Sequence, residues 1–76
     1  MPLSELELTR MVKGEAEARL STAKGLVEHH KARLASLPRN ADKGQESLVS
    51  TAIADAQAMV AVRQRELDEI TARAQA

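Results

Sequence analysis

The 76-residue chain contains no cysteine and no phenylalanine, tyrosine or tryptophan. The first absence excludes disulfide staples and thiolate metal sites. The second leaves any core to Leu, Ile, Val, Met and Ala. It also removes the flat side chains on which nucleobases stack and partners anchor. Net charge is missing too, with 11 Lys and Arg against 11 Asp and Glu. Polyanion binding normally leaves a basic excess, so neutrality argues against nucleic acid. No long apolar run occurs. The most apolar stretch, "AIADAQAMVAV" at 52–62, is well short of the about 20 residues that cross a bilayer. The opening "MPLSELELTR" lacks a basic region followed by an apolar one. No secretory signal is therefore expected, and the cytoplasm is the expected compartment.

What is present is helical periodicity. Ser4 fits an N-cap, and Glu7, three residues on, completes a capping box. Leu3 and Leu8 occupy the two positions of a hydrophobic staple. Glu5 and Glu7 suit the positive end of a helix dipole. From Ala16 the apolar spacing alternates between four and three: Ala16, Leu20, Ala23, Val27, His30, Leu34, Leu37. This is a heptad seam. Gly14 and Gly25 fall on the outer face, and Gly14 marks a possible bend or helix end. "LPRNADKGQES" then breaks the pattern, because Pro38 disfavours helical geometry at Leu37. Asp42 with Gln45 makes a second capping box, with Asn40 as the competing cap. A second seam follows through Val49, Ile53, Ala56, Val60, Arg63, Leu67, Ile70 and Ala74. The pattern predicts one domain: helix 1 over about 5–37, a turn over about 38–42 and helix 2 over about 43–73.

A short connection makes the two helices antiparallel neighbours. Folding at the turn opposes Leu34 to Val49, His30 to Ile53, Val27 to Ala56, Ala23 to Val60, Leu20 to Arg63 and Ala16 to Leu67. Several layers pair a large residue with a small one, which lets the helices interdigitate. The expected fold is thus an all-α, coiled-coil-like hairpin. Its expected core is Ala16, Leu20, Ala23, Val27, His30, Leu34, Val49, Ile53, Ala56, Val60, Leu67 and Ile70. Outside the seam, Glu15–Arg19, Lys13–Glu17, Arg65–Glu69 and Glu69–Arg73 have the spacing of supporting ion pairs. Arg63 is expected to reach out of the seam toward Glu17.

This core is too small to exclude water by itself, and apolar residues are left over beside it. Val12, Leu26, Ala54, Ala58, Met59 and Val62 are the expected partner interface. A second layer of helices would cover them and complete a helical bundle. It would come from another copy of the chain or from another protein's amphipathic helix. The expected function is therefore a non-enzymatic interaction and assembly module.

Residues for other chemistry are not arranged to perform it. His29 and His30 are adjacent, so they point about 100° apart, and no carboxylate lies one turn away from either. No metal or cofactor is expected. Glu66, Asp68 and Glu69 alternate with Arg65 and Arg73 and read as a solvated face. No nucleophile–base pair or phosphate loop is recognisable, so no enzyme is expected. In length and hairpin layout the chain resembles the two-helix chaperone subunits of type III secretion needle systems. That resemblance implies an export chaperone holding a partner helix. An inhibitor encoded by a phage or plasmid, docking on a host protein, is another reading of a small cysteine-free chain. The layout is also similar to the Rop-like RNA-binding hairpin dimer. There, basic residues would need to gather on one face, whereas Arg10, Lys24, Lys31, Arg33 and Lys43 are interspersed with acids.

Overall fold

The computed structural model describes residues 4–75. Helix α1 runs Glu5–Ala35 and helix α2 runs Lys43–Gln75. They pack side by side as a hairpin.

Both starts are set by side-chain caps. The Glu7 amide donates to Ser4 Oγ at 3.1 Å, and the Gln45 amide donates to Asp42 Oδ1 at 2.8 Å. Each satisfies an amide that has no partner within its helix. Asp42, not Asn40, is therefore the cap of α2. The proposed staple involves Leu3, which lies outside the described residues. Helix α1 stops two residues before the expected end. The Ser36 amide bonds back to the carbonyls of Ala32 and Arg33, and the Leu37 amide donates to the Leu34 carbonyl at 3.3 Å. This tightening closes the helix ahead of Pro38, whose ring excludes helical geometry at Leu37. A β-turn follows, with the Ala41 amide donating to the Pro38 carbonyl at 2.9 Å. Helix α1 is unbroken through Gly14, so it does not end there. A helix held by packing over many turns tolerates the roughly 1 kcal/mol that one glycine costs.

The buried residues are Ala16, Leu20, Ala23, Val27, Val49 and Ala56. His30, Ile53, Val60, Leu67 and Ile70 are half-buried on the same seam. Leu34 departs from the expected core, at 36% exposed. It sits in the last turn of α1, where the chain leaves the helix and only α2 remains to cover it. Toward the open end of the hairpin the seam of α1 turns polar. Thr9 and Lys13 are half-buried there, while Leu8, Met11 and Val12 are exposed. The seam is one residue deep, and among the described residues no side chain is completely enclosed.

The molecule is a layer one helix thick. Its extents are 60 × 22 × 14 Å and its radius of gyration is 17.5 Å. A compact chain of this length would have a radius near 11 Å. Such a layer has two broad faces, and their chemistry decides what the hairpin can do.

Candidate association face

Heptad spacing assigns residues to the two faces, and the grooves along the hairpin identify which stripes share a face. On one face, Lys24, Val27 and Glu28 of α1 line a groove of about 450 Å³ with Gln57 and Val60 of α2. The valines form its floor and the exposed side chains along it are polar or charged, some bonded to one another. Glu28 pairs with Lys31 at 3.7 Å, and Gln64 donates to Asp68 at 3.0 Å. This is a solvated face.

The opposite face is different. Arg19, Thr22 and Leu26 of α1 line a groove of about 330 Å³ with Met59 and Arg63 of α2. Toward the open end a second groove is lined by Leu8, Val12, Ile70 and Arg73. Val12, Arg19, Leu26 and Arg33 form one stripe at heptad spacing along α1. Leu48, Asp55, Val62 and Glu69 form a matching stripe along α2, next to Met59. Leu26 and Val62 are each 47% exposed, Met59 is 42% exposed and Leu48 is 74% exposed. One face thus collects most of the large apolar side chains that the seam leaves uncovered. Leu6, Met11 and Leu34, at 61%, 54% and 36% exposed, lie outside these stripes.

The six expected interface residues do not come together on one face. Val12, Leu26, Met59 and Val62 share the apolar face. Ala58 lies on the outer edge of α2, directly away from α1, and Ala54 lies toward the polar face. All six are exposed. The difference follows from the 100° step of a helix. A run such as 52–62 is apolar all round, but its large members point one way and its alanines the other. Leu8 and Leu48 belong to the apolar face and were not among the expected residues. Their signal is the heptad spacing of Leu48 to Asp55 to Val62 and the step from Leu8 to Val12.

The polar features of the seam are internal. Arg63 Nη1 donates to both carboxylate oxygens of Glu66, at 2.9 and 3.0 Å. The expected reach across to Glu17 is replaced by this contact one turn away on the same helix, which asks less of the side chain. Among the described residues the ion pairs are Arg63–Glu66 and Glu28–Lys31, and the four anticipated pairs at spacing four do not close. The His29 and His30 rings meet edge to face, with centroids 5.4 Å apart. His30 Nδ1 is buried without a hydrogen-bond partner. Among the described residues no group of three or more His, Asp or Glu side chains is placed to hold a metal ion. No described helix is long and apolar enough to cross a membrane.

Comparison with known proteins adds no relative: no family model, curated protein or solved structure matches this chain.

Proposed function

We propose that this chain is a non-enzymatic association module, a helical hairpin whose apolar broad face docks against further helices to complete a bundle. The observation that carries this reading is the segregation of Leu26, Met59 and Val62 onto one exposed face. A hairpin needing no partner would spread such side chains or turn them into its seam. Exposed apolar surface gathered in one place is the usual mark of an interaction site. The energetics agree, because two helices sharing a one-residue-deep seam gain little from burial, and helices depend on packing for stability. The proposed setting is the cytoplasm, where a chain without cysteine forgoes no disulfide.

The test is a photo-crosslinking residue placed at Val62 in the producing cell, with Gln57, on the polar face, as control. Adducts are expected from position 62 and not from position 57. Their mass distinguishes a second copy from a different protein. Equal crosslinking from both positions, or none from position 62, would remove the association reading.

A further inference from the structure

We draw no further inference here: the strongest candidate, the exposed apolar face of the hairpin carrying Leu26, Met59 and Val62, belongs to the site already described, and nothing in the structure shows what covers it.

Discussion

Val27 shows how little tolerance a thin seam has. It is buried on α1, as Ala56 is on α2. An aspartate there would carry a charge into the apolar seam between the helices. Val27→Asp is expected to remove several kcal/mol, enough to unfold a chain with so small a core. Circular dichroism checks this, and full retention of helicity would take Val27 out of the core. His30 lies on the same seam with the opposite problem. Its Nδ1 is buried and bonded to nothing. A polar atom in that state costs about 1–3 kcal/mol relative to a satisfied one. His30→Leu removes the atom and is expected to stabilise the fold by about 1 kcal/mol, read as a higher thermal midpoint. The same change at exposed His29 should move stability by no more than about 0.5 kcal/mol. A fall in midpoint for His30→Leu would mean that the nitrogen has a partner in solution.

At the scale of the helices, most of the stabilising devices are local. The two caps each contribute about 1 kcal/mol and fix where α1 and α2 begin. Gly14 and Gly25 work against them. A Cβ built at either glycine meets nothing within 4 Å, and neither has a positive φ. Gly14→Ala and Gly25→Ala should therefore each stabilise by about 1 kcal/mol through helix propensity alone. The two sites are far enough apart along α1 for their effects to add. Chemical denaturation would measure both, and a sum well below the separate values would show that they share a neighbour. Arg63 poses a different question, because a seam arginine paired across the hairpin could fix its register. Its guanidinium instead holds Glu66 on its own helix. A double-mutant cycle of Glu17→Ala with Arg63→Ala should give a coupling within about 0.3 kcal/mol of zero. A coupling above 1 kcal/mol would restore a register contact between the helices.

The whole molecule is limited by its surface. A layer one helix thick cannot hide its apolar face from water by any internal rearrangement. Stability should therefore depend on what binds that face. With self-association, a tenfold rise in concentration adds about 1.4 kcal/mol to the associated state and should raise the thermal midpoint by a few degrees. A midpoint constant over a hundredfold range of concentration would describe a monomer stable by itself.

The local elements were legible in the sequence because their causes are local. Ser4 and Asp42 announce helix starts through side chains that reach only three residues. Pro38 ends a helix through its own ring, and the alternation of four and three from Ala16 onward follows from the pitch of a single helix. Those signals were enough for the hairpin and for the seam residues Ala16, Leu20, Ala23, Val27, Val49 and Ala56, which are buried. The tertiary structure decided what depends on two helices at once. It left Leu34 exposed, because the chain turns away just beyond it. It gave Arg63 a nearer partner than Glu17, because a contact within one helix requires no agreement between two. It also sorted the leftover apolar residues. An isolated helix has an apolar stripe at some angle but no broad face. Only when α1 and α2 lie side by side do Leu8, Val12 and Leu26 join Met59 and Val62, while Ala54 and Ala58 turn elsewhere.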